Sequence, residues 1–230
     1  MKQAVEEGYI VDVFGHYIEY TTYYRLNKTI DNDPTLNKVA AKKAIAKAIS
    51  LNPENINQKL EIIVDNFIEK VMRQLNGNGK AMVLCASREE AVEVKKAIDK
   101  KLLKKNGATK ALVAFSGMVK IDGVEYTETG MNGFSENKTA AAFDTNEYGI
   151  MVVADKYQTG FDQPKLCGMY IMKPLKEVNA VQTLSRLNRP CPPYKKEPVI
   201  IDFVNSCEDI RSAFKPFYTT TVLSEDITAE

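Results

Sequence analysis

Short apolar runs alternate with amphipathic stretches through the later part of the chain. Five such runs occur: AMVLCAS (81–87), ALVAFS (111–116), IMVVAD (150–155), GMYIMK (168–173) and VIIDFV (199–204). Helical patterns lie between them, from Arg88 to about Lys105, from Glu136 to Phe143 and from Glu177 to about Asn188. Strands that are apolar throughout and alternate with helices are typical of a parallel sheet covered on both faces. The pattern therefore predicts an α/β, doubly wound domain over residues 80–230, ending in a C-terminal extension.

The first 79 residues follow a different pattern. The segment HYIEYTTYYRL (16–26) is rich in Tyr and Thr, which predicts a strand. An aromatic platform for nucleic acid is the alternative. One helix is predicted to end at Asn52-Pro53, and another to run from Asn55 to about Leu75. The glycine-containing turn NGNGK (76–80) then separates a mainly helical connector, residues 1–79, from the α/β domain.

Composition and charge exclude several classes of protein. The 230 residues are 44% hydrophobic and 27% charged, which is typical of a folded chain rather than a disordered one. A net charge of +1 excludes a histone-like polycation but leaves room for a local nucleic-acid site. No apolar run reaches the ~18 residues that a membrane-spanning helix needs, so no membrane partner is expected. His16 is the only histidine, which excludes mechanisms that need several.

The cysteines bear on compartment and metal binding. The sequence has four, spread along the chain with no CxxC pair: Cys85, Cys167, Cys191 and Cys207. This spacing predicts a reduced, cytoplasmic protein with neither a zinc site nor a disulfide framework. We therefore expect no metal ligands in this chain.

Polar residues follow the first two predicted strands of the α/β domain, where functional loops of a doubly wound sheet lie. Ser87 and Arg88 come at a strand end and a helix start, where a hydroxyl and backbone amides suit a phosphate. A helix N-cap by Ser87 is the alternative. Ser116 and Gly117 end the next strand and open an irregular stretch, 117–135, which is long enough to be functional or disordered.

The loop KYQTGFDQP (156–164) follows the third predicted strand. Thr159 offers a hydroxyl, Gly160 permits close backbone approach, and Asp162 offers a carboxylate. These groups suit contacts to a phosphodiester and a ribose. A tight turn is the alternative.

The segment AVQTLSRLNRP (180–190) is the most informative. Gln182, Arg186 and Arg189 are spaced by four and three residues, which predicts one narrow face of a helix at ~100° per residue. Two arginines projected together suit the negative charge on a transferring phosphoryl group, as arginine fingers do. A surface ion-pair cluster is the alternative.

The order of these motifs resembles the second motor domain of superfamily-two helicases. AMVLCASREEAVEVKKAI is similar to motif IV of that superfamily, ADKYQTGFDQP to motif V, and QTLSRLNR (182–189) to motif VI. Together with EGYIVDVFGHYIEYTTYYRL upstream, EYTETGMNGF, DKYQTGFDQP and AVQTLSRLNRP resemble the motor (R) subunit of type I restriction endonucleases. The resemblance covers nearly the whole chain and implies a RecA-like fold. Ser185 and Asn188 stand where many helicases have glycine. Ser185 is small enough to be harmless, whereas Asn188 affects the expected local packing.

The resemblance implies an ATP-dependent DNA translocase and a role for each motif. Arg186 and Arg189 would face a triphosphate bound by a preceding motor domain, and Gln182 would help order that face. Gly160 and Asp162 would lie near the nucleotide, with Asp162 toward the ribose. The remaining loop residues would contact the DNA backbone: Ser87, Arg88, Ser116, Gly117 and Thr159.

The resemblance also implies what the chain needs from elsewhere. No GxxxxGK[ST] loop, Asp-Glu magnesium motif or nuclease cluster occurs in the sequence. ATP and Mg²⁺ would be bound mainly by a missing first motor domain, and we predict that the isolated chain binds neither, hydrolyses no ATP and cuts no DNA. The expected partners are double-stranded DNA, the first motor and nuclease domains of the same subunit, and the modification and specificity subunits.

Three alternative functions remain at the level of sequence. One is a pure interaction module, which would need no paired arginines aligned with Gln182, as Arg186 and Arg189 are. Another superfamily-two DNA or RNA helicase or remodeller would share the same motifs. A metabolite-binding doubly wound enzyme would need a glycine-rich first turn, where this chain reads REE (88–90).

Overall fold

The computed structural model describes residues 17–19, 51–105, 109–157 and 160–219. Within them, eight strands are defined: β1 Tyr17–Glu19, β2 Lys80–Leu84, β3 Lys110–Ala114, β4 Met118–Ile121, β5 Val124–Thr127, β6 Tyr148–Val153, β7 Leu166–Ile171 and β8 Val199–Asp202. Six form one parallel sheet in the order β1-β8-β7-β2-β6-β3, and β4 and β5 form a separate antiparallel hairpin. The predicted parallel sheet is therefore confirmed.

The helices of the described residues are α1 Pro53–Asn66, α2 Arg88–Lys105, α3 Glu128–Asn132, α4 Thr139–Asp144, α5 Glu177–Leu184 and α6 Cys207–Thr219. A π-helical turn, Phe67–Val71, continues α1 and is followed by a short turn, Gln74–Gly77. One 3₁₀ turn, Glu136–Lys138, precedes α4, and another, Ser185–Asn188, follows α5.

The two faces of the sheet each bury a separate hydrophobic cluster. Successive residues of a strand point to opposite faces, so Ala81 and Val83 of β2 pack in one cluster while Met82 and Leu84 pack in the other. The first cluster contains side chains of α1 and α2, and the second contains side chains of α5 and α6. Every residue of β2 and of β7 is buried, which explains why, apart from Lys80, neither strand contains a charged residue. The helices on both faces confirm the doubly wound prediction.

The segment before β2 is part of the same core as the sheet. Seven of its apolar side chains are buried in the first cluster: Ile56, Leu60, Ile63, Val64, Phe67, Val71 and Leu75. Two glycines of the sheet make room for them. A Cβ on Gly149 would lie 2.5 Å from Phe67 Cζ, and one on Gly168 would lie 2.9 Å from Val71 Cγ2. A division at residue 79 therefore does not separate two cores within the described residues.

The prediction that residues 117–135 are irregular is wrong. The segment forms the hairpin β4–β5 and then α3. Asp122 and Gly123 both have positive φ, 49° and 82°, which is the backbone of the two-residue turn that an Asp-Gly pair favours. Thr127 caps α3 by accepting a hydrogen bond from Gly130 N at 3.0 Å. The helix ends at Gly133, whose φ is 79°.

Side chains cover the outer edge of β3, the last strand of the sheet. Asp99 accepts from Ala111 N at 3.3 Å. Asn132 accepts from Val113 N at 3.0 Å and donates to Val113 O at 2.8 Å, as a neighbouring strand would. Glu128 accepts from Phe115 N at 2.9 Å. These bonds satisfy backbone groups that an uncovered edge strand would expose.

The strand predicted over residues 16–26 is observed at Tyr17–Glu19, and its remaining residues lie outside the described ranges, as does the helix predicted before Asn52. The four cysteines are free thiols. Among the helices that the structure describes, none is both long and apolar enough to cross a membrane.

Candidate functional site

The segment between β6 and β7 crosses one face of the sheet. The two strands are both parallel to β2, so the chain must pass from the carboxyl end of one to the amino end of the other. Phe161, 7% exposed, fixes this crossing by packing against Tyr157 and Phe143, with ring centroids 4.8 and 6.2 Å away. Gly160, whose φ is 72°, and Asp162 flank it and are exposed. Gly160 and Asp162, the two residues predicted to lie near the nucleotide, are therefore exposed on either side of the buried Phe161.

The arginine motif does not lie on one continuous α-helix as the spacing predicted. Helix α5 ends at Leu184, and Ser185–Asn188 form a 3₁₀ turn. Arg189 is extended, with φ −67° and ψ 120°, because the residue before a proline is disfavoured in helical conformation. The prediction that Gln182, Arg186 and Arg189 share one helical face is therefore wrong. Gln182 is exposed on α5 itself.

Arg186 and Arg189 nevertheless meet at the crossing segment. Arg186 Nη1 donates to Phe161 O at 2.8 Å, and Arg189 Nε lies 3.4 Å from Asp162 Oδ1. Burial and the neighbouring charge of Arg189 lower the pKa of Arg186, while the Asp162 carboxylate opposes that shift. Arg186 is half-buried, whereas the Arg189 side chain is 54% exposed. Two guanidinium groups and the residues flanking Phe161 thus form one site.

Asn188, at the end of the 3₁₀ turn, is 6% exposed. Its Oδ1 atom is buried and accepts no hydrogen bond from the described residues. The residue type that departs from the helicase pattern is thus packed inside the motif rather than exposed on it.

The second group of predicted residues lies at the carboxyl ends of β2 and β3. Ser87 Oγ accepts from Glu90 N at 3.1 Å, so this hydroxyl is the N-cap of α2, as the alternative interpretation held. Arg88 Nη1 donates to Ser116 O at 3.2 Å and to Met118 O at 3.3 Å. Gly117 has φ 76°, and a Cβ there would lie 3.4 Å from Arg88 Nη1. Ser87, Arg88, Ser116 and Gly117 are therefore brought together, while Thr159 lies outside the described residues.

Glu90, whose backbone N–H donates to Ser87, has a buried carboxylate. Glu90 is fully buried, and its Oε2 accepts from Ala86 N at 2.6 Å. Its Oε1 has no hydrogen-bond partner among the described residues. Burial raises the pKa of Glu90 to about 7, although the backbone hydrogen bond from Ala86 and the charge of Lys59 oppose this rise.

Sequence reasoning missed the network that holds the start of α5. Asp202, fully buried at the end of β8, accepts from Tyr17 Oη at 2.6 Å and from Asn205 N at 2.8 Å. Asn205 in turn accepts from Leu175 N at 2.8 Å and donates to Lys173 O at 3.1 Å. Burial raises the pKa of Asp202, against the effect of its hydrogen bonds from Asn205 and Tyr17. The sequence signal for this network was the presence of Asp202 and Asn205 at the end of the apolar run VIIDFVN (199–205).

Glu128 and Lys156 were also missed as individual residues, although both lie within quoted motifs. Glu128 begins α3 and is fully buried, and Lys156 opens the crossing segment. Lys156 Nζ lies 2.9 Å from Glu128 Oε2 and 2.7 Å from Glu136 Oε2. The available indication was a Thr-Glu pair at a helix start.

The site fits an anion better than a cation. Its paired guanidinium groups match phosphate oxygens in charge and geometry. No group of three or more His, Cys, Asp or Glu side chains suited to a metal ion occurs in the described part of the chain. A magnesium ion at this site would therefore need ligands from outside these residues.

Comparison with known proteins gives a consistent match. The family model T1R_D3-like, described as type I restriction enzyme subunit R domain 3, matches residues 16–205. A Methanocaldococcus jannaschii protein named as the MjaIXP endonuclease subunit of a type I restriction enzyme is 28% identical over 198 residues, covering 84% of this chain and 18% of that protein. The MjaVIIP endonuclease subunit of the same organism is 32% identical over 173 residues, covering 69% and 16%. The chain thus spans less than a fifth of these relatives.

A solved structure shares the fold. The fragment structure of an HsdR subunit of a type I restriction enzyme from Vibrio vulnificus YJ016 aligns with a TM-score of 0.52 and 17% identity, covering 94% of this chain and 35% of that one.

Proposed function

Because the chain belongs to the family of type I restriction enzyme subunit R domain 3, we propose that it is the second RecA-like motor domain of an ATP-driven DNA translocase. In this proposal, ATP binds between a preceding motor domain and this one. Arg186 and Arg189 stabilise the charge of the transferring phosphoryl group, and hydrolysis changes the relative position of the two domains. Alternating contacts to the DNA backbone then move the duplex.

The observation that supports this proposal most strongly is the pair of arginines on the crossing segment. Burial and the charge of Arg189 lower the pKa of Arg186, and a bound anion would relieve the repulsion that Arg186 experiences. The ion pair between Arg189 and Asp162 joins side chains that are 54% and 64% exposed. Such a pair is worth only about 0–1 kcal/mol, so Arg189 can exchange it for phosphate oxygens at little cost.

Arg186 is suited to holding the nucleotide-contacting segment in position. Its hydrogen bond to Phe161 O attaches the end of α5 to the segment that carries Gly160 and Asp162. A nucleotide contacting Asp162 would thus be held at a fixed distance from the arginines. Gln182, exposed one turn earlier, would help to order this face.

We propose that the residues at the carboxyl ends of β2 and β3 contact the DNA backbone. Arg88 holds the turn at Ser116 and Gly117, and both of these residues are exposed. Hydroxyl, guanidinium and backbone N–H groups are the donors that phosphate contacts use, and such contacts carry no sequence information. Thr159 is included by its motif alone.

The rest of the enzyme is required for activity. ATP supplies the phosphoryl group and Mg²⁺ the balancing charge, and both would be held mainly by the preceding motor domain. We propose a nuclease domain in the same subunit, modification and specificity subunits as partners, and a cytoplasmic location, where free thiols persist.

The test is Arg189→Ala in an R subunit that contains this domain and the preceding one. Removing an arginine finger is expected to lower kcat for ATP roughly 10³-fold or more while nucleotide binding is retained. Arg189→Lys should rescue little, because lysine lacks the two-pronged guanidinium. Arg73→Ala is the control, since Arg73 is exposed elsewhere on the domain.

Two results would contradict the proposal. The first is full turnover in the Arg189→Ala subunit. The second is magnesium-dependent ATP hydrolysis by the isolated 230-residue chain, because the proposal places the phosphate-binding loop elsewhere.

A further inference from the structure

Glu128 is a buried carboxylate whose two oxygens both accept hydrogen bonds. Its side chain is fully buried, and Oε1 accepts from Thr139 Oγ1 at 2.6 Å. Oε2 accepts from Phe115 N and from Lys156 Nζ, both at 2.9 Å. Burying a charge is costly unless it is paired and hydrogen-bonded, so a site this complete stabilises one arrangement of its partners.

The partners of Glu128 come from separate elements that carry the proposed functional residues. Phe115 immediately precedes Ser116 and Gly117, the proposed DNA contact. Lys156 lies four residues before Gly160, at the start of the segment proposed to contact nucleotide. One carboxylate oxygen thus contacts both loops directly.

Further contacts continue from Lys156 toward the arginines. Lys156 Nζ lies 5.6 Å from the Tyr157 ring centroid, and that ring packs against Phe161 at 4.8 Å. Phe161 O accepts from Arg186. The chain of contacts from Phe115 to Arg186 is therefore continuous.

The backbone on both sides of Lys156 has an uncommon conformation. Asp155 and Tyr157, on either side of it, have φ of 61° and 64°. Residues other than glycine are uncommon in this region, and they persist where surrounding contacts impose the conformation. Lys156, which pairs with Glu128, lies between these two residues.

We propose that Glu128 is a positioning residue that couples the DNA-contacting loop after β3 to the nucleotide-contacting segment after β6. This inference rests on the proposed function. Movement of the Ser116–Gly117 backbone on DNA shifts Phe115 N, and Glu128 passes that shift to Lys156. DNA binding thereby favours the arrangement in which Phe161 and Arg186 hold the nucleotide site.

The chain offers a matched control in Glu136. Both glutamates pair with Lys156, but the Glu136 side chain is 44% exposed and the Glu128 side chain is fully buried. Only Glu128 also contacts Phe115. Glu128→Gln and Glu136→Gln each remove one negative charge that pairs with Lys156, so the comparison separates loss of that charge from loss of the buried contact to Phe115.

The first measurement uses this chain and amide hydrogen exchange. Glu128→Gln is expected to speed exchange of the 156–162 segment and of Phe115 roughly 10- to 100-fold, the worth of one hydrogen bond to a charged group. Exchange in β2 should not change, and Glu136→Gln should show a much smaller effect. Should Glu128→Gln not fold, Glu128→Gln/Lys156→Met removes both charges and reports on the same segments. Equal exchange in wild type and both Glu128 variants would overturn the inference.

The second measurement uses an R subunit that contains this domain. ATP hydrolysis is measured with and without linear duplex DNA, and affinity for the duplex is measured by fluorescence anisotropy. Glu128→Gln should lower the ratio of the hydrolysis rate with DNA to the rate without DNA at least roughly fivefold, the lower end of typical allosteric coupling. The affinity for the duplex should be retained. Glu136→Gln should keep the wild-type ratio.

The outcomes separate this inference from the proposed function. An unchanged ratio in Glu128→Gln overturns the coupling alone, and so does a fall in duplex affinity that accounts for the whole loss. If wild-type hydrolysis does not respond to DNA, or if Arg189→Ala retains turnover, the proposed function fails and the coupling fails with it.

Discussion

Phe67→Ala tests whether the segment before β2 belongs to the motor core. The Phe67 ring is fully buried and lies against the backbone of β6, where Gly149 leaves room for it. Removing a buried phenyl ring leaves a cavity and costs about 3–5 kcal/mol. Domains of this kind have a total stability of about 5–15 kcal/mol, so the loss is a large fraction of it.

The same reasoning applies to the whole segment. Burying an apolar side chain contributes about 1.5–3 kcal/mol, so the seven side chains from Ile56 to Leu75 contribute roughly 10–20 kcal/mol. This is an upper value, because unfolded chains already bury part of their apolar surface. Without this segment the apolar face of the sheet that it covers would be exposed to water, so a chain that begins at residue 80 should not fold.

The assay is urea and thermal unfolding followed by circular dichroism. Phe67→Ala should lower the melting temperature by about 6–20 °C, taking 2–4 °C for each kcal/mol in a chain of this size. Glu69→Ala, an exposed position in the same turn, is the control and should change stability by less than about 0.5 kcal/mol. Cooperative unfolding of a chain that begins at residue 80, or a Phe67→Ala loss below about 1 kcal/mol, would refute the reasoning.

Three further predictions concern buried groups. Since burial raises the pKa of Glu90 from 4.5 to about 7, the folded state binds its proton more tightly, and the free energy of unfolding should fall as pH rises between these values. Glu90→Gln should remove roughly 2–3 kcal/mol of that fall, measured by urea titrations at pH 5 and pH 8. Asn132→Ala should cost about 2 kcal/mol or more, because it leaves Val113 N–H and C=O unpaired, with exposed Asn137→Ala as the comparison. Gly149→Ala should cost about 1–3 kcal/mol in thermal unfolding by forcing Phe67 aside, and an unchanged melting temperature would contradict that packing.

The parallel sheet was predictable because burial on both faces leaves its mark on local sequence. All five residues of β2 and all six of β7 are buried, so each strand, apart from Lys80 at the start of β2, appears as an uninterrupted apolar run. The prediction for β2 nevertheless extended to Ser87, since the small residues after Leu84 resemble the strand in composition. In the structure, Ser87 caps α2 instead.

Long-range packing was beyond the reach of local pattern. The periodicity of residues 55–75 indicates an apolar face but not the surface that covers it, so α1 resembled part of a connector. Strand β1 pairs with β8, and Tyr17 and Asp202 are 185 residues apart along the chain. The Asp122-Gly123 turn is different, because its dipeptide is a local hairpin signature and was available in the sequence.

The arginine motif shows how a correct grouping can follow from an incorrect geometry. A helical face from Gln182 to Arg189 requires α-helix throughout, and Pro190 prevents it at Arg189. What unites the two arginines is the segment between β6 and β7, which must cross the sheet because both strands run parallel. Its buried Phe161 presents a carbonyl to Arg186 and places Asp162 beside Arg189. The two arginines consequently differ: Arg186 donates a hydrogen bond to the backbone of Phe161, while Arg189 makes an exposed ion pair with Asp162. Replacing Arg189 removes a charge with little effect on packing, which is why it gives the cleaner test of phosphoryl transfer.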